Sequence, residues 1–506
     1  MRVLLVLPIA IPLVTGVVAL LLRRFRAAQR VVSVAGAAGL LAATVAILAR
    51  VQASGIAAVQ MGGWQAPFGI TLAADALSAG LLVATALVLL AVVCYAMVGM
   101  DAERERFGFY PLTFLLVTGV NGAFITGDLF NLYVWFEVLL IASFVLLVLG
   151  NERIQLDGAI KYVGINLISS VSFLVAIGLF YGQTGTLNMA DAAGKVQAAG
   201  LSGTPMEAAL VSLFIVAFGI KAGIFPLFFW LPASYHTPPA PIAAVFAGLL
   251  TKVGLYAMVR VFPLVFGAPT GYTQVVLLVA AGLTMIVGVL GALVERNVQR
   301  LLAFLVVSAM GYILMGLAFY TELGLTGTVF YMLQDVLVKG ALFLMVGLMQ
   351  QATGARRLDQ MGGLYVKRPF LALLFFTPFF SLAGFPPFPG FWGKLTLLKA
   401  GFAAGQGGLV AVALAVGLVT LLIVAQVFSV AFWREAPAGE DAAPEAESTP
   451  ARPSVRPPWL TTAPVAVLVL MLLALGLWAQ PLYALSADAA AGLMNPDGYI
   501  QAVLGG

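Results

Sequence analysis

The chain is poor in the residues from which reactive centres are built. Among 506 residues there is one cysteine, Cys94, and one histidine, His236. Cys94 lies inside an apolar run, so neither a disulfide, a zinc site nor an iron–sulfur cluster can be assembled from ligands of this chain, and no cofactor is expected. Charge is equally scarce: 9% of residues are Asp, Glu, Lys or Arg, against about a quarter in a soluble domain. No glycine-rich phosphate loop follows a strand, and no strand pattern is visible at all. The net charge of +5 is scattered over short connections, which reads as membrane topology and not as a nucleic-acid surface.

What remains is hydrocarbon. With 62% hydrophobic residues, the sequence is that of an all-α polytopic membrane protein. At about 20 apolar residues per span, fourteen helices are expected. They lie near residues 3–22, 31–49, 75–99, 109–126, 129–150, 160–182, 207–233, 240–262, 272–294, 301–319, 325–350, 369–401, 409–433 and 459–483. The first run is long and is followed by Arg23, Arg24, Arg26 and Arg30, which fits a retained span better than a cleaved signal. Basic residues alternate as such a topology requires. One set of connections holds seventeen of the 26 and the other only four, Arg2, Arg50, Lys195 and Arg260. Cytoplasmic loops retain Lys and Arg, so both termini are expected on the non-cytoplasmic side.

The pattern divides into a three-helix N-terminal segment (1–108), five helices in 109–262, five in 272–433, and a last helix with its tail (459–506). Between them, 434–458 turns abruptly Pro-, Ala- and acid-rich and reads as a disordered cytoplasmic linker. The connection 183–205 is Gly- and Ala-rich and has room for a short surface helix. Five is odd, so two consecutive five-helix copies are inverted relative to each other. The fourth helix of each is interrupted by Gly and Pro: Gly223, Phe225, Pro226 and Trp230 in the first, Gly384, Phe385, Pro386, Pro387, Pro389, Gly390 and Trp392 in the second. Interrupted helices at matching positions are expected around a transport site.

Ionisable groups in mid-span are the other signal. A lysine near the bilayer centre costs roughly 2.5–3.5 kcal/mol on insertion scales, and the hairpin from Met206 to Arg260 contains two, Lys221 and Lys252. Pro226 cannot donate to the preceding turn, so a break or bend is expected there, with freed carbonyls and water beside Lys221. Lys221 then either carries a proton or merely satisfies those carbonyls. Glu137, about nine residues into its helix, is expected close to mid-bilayer. A contact of about 4 Å with Lys221 would contribute about 4 kcal/mol at an effective dielectric near 20, either as a switch or as a static ion pair. Asp335 and Lys339, four apart in YMLQDVLVKGALF, share a helix face and form either a self-neutralising pair or part of a path. Lys394 follows the second break and suits the outer end of a path, whereas Lys399 is placed to snorkel to the interface. His236, in the YHTPPAP turn, suits proton uptake from the cytoplasm or simply ties down the turn. Asp75, Asp128 and Glu322 sit near span ends and are expected to be solvated.

The segments TGDLFNLYVWFEVLLIASFVLLVLG, FGIKAGIFPLFFWLPASYHTPPAPIAAVFAGLLTKVGLY and GFPPFPGFWGKLTLLKAG resemble the antiporter-like subunits shared by Mrp-type cation/proton antiporters, complex I and membrane-bound hydrogenases. The D-type members of the Mrp group are the most similar in motif and length. The resemblance implies a subunit that moves protons, with sodium as the exchanged ion and other hydrophobic subunits and the bilayer as partners. It also implies a hydrated mid-membrane axis made by Glu137, Lys221, Lys252 and Lys394. One departure is visible: where many members carry histidine in the tenth and eleventh helices, this chain has Met310 and Lys339, so a central relay would use Lys339, Asp335 and water. The runner-up is a pumping membrane subunit of a redox complex whose centres lie in other chains.

Overall fold

The computed structural model describes residues 2–269, 271–435 and 459–505, and most of the expected disordered linker, 434–458, lies outside them. The chain runs as α1 (Arg2–Leu21), α2 (Arg26–Ser54), β1 (Ala57–Gln60), β2 (Thr71–Ala74), α3 (Ala76–Gly99), α4 (Ala102–Phe107), α5 (Phe109–Ile125), α6 (Leu129–Leu147) and α7 (Arg153–Thr184). It continues as α8 (Met189–Ala198), α9 (Pro205–Ala222), α10 (Trp230–Ser234), α11 (Ala240–Val245), α12 (Thr251–Val261), α13 (Gly271–Val294), α14 (Val298–Phe319) and α15 (Glu322–Thr353). After these come α16 (Leu364–Lys367), α17 (Pro369–Ala383), α18 (Pro389–Ala403), α19 (Gly407–Phe428), α20 (Trp459–Leu477), α21 (Gln480–Met494) and α22 (Asp497–Leu504). A five-residue π-helical turn, Phe246–Leu250, joins α11 to α12, and a second, Phe262–Phe266, ends that span.

Among the described residues, twelve helices are long and apolar enough to cross a membrane; α5 and α17 are apolar but shorter. They divide by burial. The spans built on α11–α12 and α15 are wholly inside the protein and α14 nearly so, while α2, α7, α13 and α19 keep most of their apolar surface outward. Three inner helices surrounded by lipid-facing ones therefore form the core, and every candidate lysine sits on or against that core. Glycine permits the close approach that packing in lipid needs. A Cβ on Gly254 of α12 would lie 2.5 Å from the Ala222 nitrogen and 2.8 Å from the Phe218 oxygen of α9.

Three sequence expectations change. Strands do exist: β1 and β2 pair antiparallel from Ala57↔Ala74 to Gln60↔Thr71. Their four-residue segments AAVQ and TLAA are too short and too alanine-rich for a period-two pattern to show. The segment after α20 is not a plain tail, since α21 packs on α15 and α3, and α22 on α8 and β1. Asp75 is not solvated either. Its side chain is 15% exposed, caps α3 through the Ser78 nitrogen at 3.0 Å, and pairs with Arg260 at 2.6 Å. The short helix expected in 183–205 is α8, started by the Asn188 side chain accepting from Ala190 and Asp191.

Candidate functional site

The two helix interruptions are built alike. In the first, α9 stops at Gly223, whose φ of +70° is cheap only for glycine; the Gly223 and Ile224 nitrogens both donate to the Gly219 carbonyl, at 2.9 and 3.1 Å. In the second, α17 stops at Gly384 (φ +83°), and the Gly384 and Phe385 nitrogens donate to the Phe380 carbonyl, both at 3.0 Å. The helix thus ends four residues before Pro226, because the left-handed glycine turns the chain before proline can act. Side chains hold the opened segments. Thr284 Oγ1 accepts from the Phe225 nitrogen at 2.9 Å, and Trp230 Nε1 donates to the Ile220 carbonyl at 3.0 Å. At the second break, Ser381 Oγ accepts from the Gly390 nitrogen at 3.0 Å, with Pro386 and Pro387 in the connection and Pro389 opening α18.

Each break places a lysine at the carbonyl end of a half-helix, where the helix dipole favours a cation. Lys221 occupies the last turn of α9. Lys394, on α18, reaches back so that its Nζ donates to the Leu382 and Ala383 carbonyls of α17, at 3.0 and 3.1 Å, over the Tyr312 ring at 4.5 Å. Beside it opens a cavity of about 300 Å³ lined by Tyr312, Gly384, Phe385 and residues of α19.

The centre of the array is a shared carboxylate. Asp335 Oδ2 lies 2.7 Å from Lys252 Nζ, and Asp335 Oδ1 lies 3.7 Å from Lys339 Nζ, with all three side chains at most 1% exposed. The expected Asp335–Lys339 pair is present, but the closer partner comes from the neighbouring span. Both ammoniums also meet carbonyls. Lys252 donates to Ala247 at 2.9 Å, inside the π-helical turn, and Lys339 donates to Leu305 of α14 at 3.1 Å. A π-turn leaves carbonyls without their usual partner one turn later, which is what Lys252 exploits.

Glu137 and Lys221 differ from expectation. They lie on neighbouring elements within electrostatic reach, yet Lys221 Nζ and Glu137 Oε1 are buried without a hydrogen-bond partner. The ammonium faces the Phe136 ring, 5.7 Å from its centroid, and no contact of about 4 Å with Glu137 is made. A static ion pair is therefore not what this structure holds. The rest of the array is contiguous: Lys394 feels the charges of Lys339 and Asp335, and α18 packs on α15.

His236 lies between α10 and α11, half-buried, its Nδ1 2.8 Å from the Pro232 carbonyl. Burial first, and then Arg300 and Arg356, outweigh Glu295 and the Pro232 bond and bring its pKa below the ordinary 6.5. It is thus neutral near pH 7, with Nδ1 protonated and donating.

Sequence reading missed several groups. Arg260, counted there as a loop cation, is buried against Asp75, Tyr256 and Tyr499, at 5.5 and 5.1 Å over the two rings. Burial alone would raise the Asp75 carboxyl, but Arg260 and the Ser78 bonds hold it below the usual carboxylate range. Its sequence signal was the spacing Lys252, Tyr256, Arg260, one polar stripe at four-residue steps. Gln334, whose amide oxygen accepts from Ser381 Oγ at 3.3 Å, and Tyr312 carry no local signal, because their role depends on a distant break.

Residues 126–420 match the family described as NADH:quinone oxidoreductase/Mrp antiporter, TM. The D-type subunit of the Na(+)/H(+) antiporter of Alkalihalophilus pseudofirmus is 42% identical over 501 residues, covering 99% of each chain. A chain of the Mrp complex from Dietzia sp. superposes with a TM-score of 0.91 at 34% identity, covering 100% of both chains. A chain of the membrane-bound sulfane sulfur reductase, an archaeal respiratory membrane complex, superposes with a TM-score of 0.88 at 25% identity over the same coverage.

Proposed function

The chain belongs to the NADH:quinone oxidoreductase/Mrp antiporter membrane family, and from that premise we propose that it is the D-type, proton-translocating subunit of a multisubunit Na+/H+ antiporter. It works as a secondary transporter and not as an enzyme, within a bacterial cell membrane beside other hydrophobic subunits. The observation that carries this is the buried series Lys221, Lys252, Asp335, Lys339 and Lys394, with the half-buried Glu137 within electrostatic reach of Lys221, set on contiguous helices with a lysine at each helix break. In this reading a proton is taken up near His236, rests at Lys221 under the influence of Glu137, passes by way of Lys252, Asp335 and Lys339, and leaves through Lys394. The matched breaks support two inverted repeats, 109–262 and 272–433, with the basic turns cytoplasmic and both termini outside.

The second reading is a pumping subunit of a redox complex, favoured by the likeness to the sulfane sulfur reductase chain, though at lower identity than the Mrp chain. One experiment separates them. The native complex is purified from its own membranes and reconstituted. Sodium-dependent proton movement from a complex without flavin or iron–sulfur absorbance is the expected result, and co-purifying redox centres with no sodium response would overturn it.

A further inference from the structure

The basic turns are not equivalent. Arg26 and Arg30 converge on buried Glu105, each at 2.7 Å, and Arg104 is taken up by Asp101 and Glu152. Arg23, Arg24 and Arg106 have no ion-pair partner among the described residues, and all three are exposed. They nevertheless converge: with Ala102, Glu103 and Phe107 they line one cavity of about 610 Å³ between the α1–α2 turn and α4. Glu103 is the lone acid there, so the lining carries two positive charges in excess. Phe107, 65% exposed, lines the cavity, and Leu21 (75% exposed) and Phe25 (67%) flank Arg23 and Arg24 in sequence where the lipid-facing α1 ends.

We propose that this cavity binds the headgroup of an anionic glycerophospholipid, the arginines holding phosphate oxygens while Leu21, Phe25 and Phe107 lie against the acyl chains. Guanidinium suits phosphate because its planar fork donates two parallel hydrogen bonds and stays charged at any physiological pH. Basic residues beside a span gain further from an anionic lipid surface. A positive-inside bias alone asks only that arginines stay on one side; it does not ask three of them to line one concavity while their neighbours are neutralised internally.

The test uses the intact complex, delipidated and returned to nanodiscs of phosphatidylethanolamine with or without phosphatidylglycerol. Bound lipid is counted by native mass spectrometry. The wild type should retain phosphatidylglycerol over phosphatidylethanolamine by about tenfold or more, and R23Q/R24Q/R106Q should lose most of that preference. An R153Q control, an exposed arginine on another turn, should keep it. If the triple variant does not assemble, R106E, which adds an acid to the cavity, is expected to lose the preference in its place. Equal retention by wild type and variant would overturn the proposal. So would displacement of the lipid by millimolar glycerol phosphate, which would mark a soluble-phosphate site, or a cavity filled by an acidic segment of a neighbouring protein of the complex.

Discussion

Replacing Asp335 by Asn removes the one carboxylate shared by Lys252 and Lys339 while keeping its size. At 2.7 Å and an effective dielectric near 20, the Lys252 attraction is about 6 kcal/mol, and the Lys339 attraction at 3.7 Å is about 4.5 kcal/mol. Much of this was already offset by desolvation, so the net cost of stripping a buried ion of its partner is about 3–5 kcal/mol. Among the described residues no second acid pairs with either lysine, whose other contacts are the Ala247 and Leu305 carbonyls. D335N should therefore lower antiport at least about tenfold in everted vesicles, with the complex still present on native gels but melting at lower temperature. D335E, which keeps the charge, should recover part of the activity. Wild-type exchange and melting in D335N would refute the shared-carboxylate reasoning.

Three further outcomes follow from the packing. A Cβ on Gly390 would lie 1.8 Å from the Ser381 carbonyl oxygen, whereas Gly164 has open space around it; G390A should lose assembled complex, and G164A should not, as judged by detergent-stable yield. D75A leaves Arg260 buried without its acid and should cost about 3–5 kcal/mol, whereas D75A/R260M should recover most of that in thermal melts. Because burial and the nearby arginines lower the His236 pKa, its neutral form supports the fold, and that support is full above pH 6.5 and lost as pH falls through the lowered value. H236Q should thus melt like wild type at pH 8, and should lose less stability than wild type on acidification.

The spans, their breaks and the lysines at those breaks were legible because each leaves a local mark: an apolar run, a Gly–Pro interruption, a cation where lipid is expected. Partnerships were not. Asp335 sits four residues from Lys339, so local spacing named that pair, yet the nearer ammonium is Lys252, brought in by a span more than 80 residues away in sequence. Glu137 and Lys221 show the converse: they stay within electrostatic reach, but the close contact inferred from charge is not made and the ammonium faces the Phe136 ring. Asp75 and Arg260 each stood at a span end, where solvation is the ordinary outcome. Only the folding back of α22, which brings Tyr499 over Arg260, reveals that this end is closed. The β-hairpin escaped because four alanine-rich residues carry no period.

The buried lysines at the two helix breaks are proposed to carry the proton and not merely to hold the helices. The most direct measurement is sodium-driven proton flux in proteoliposomes containing the complete complex with K221A or K394A, alongside E137A. Flux near background is expected for each variant, with the composition of the complex unchanged. Wild-type flux in K221A or K394A would contradict a proton-carrying role.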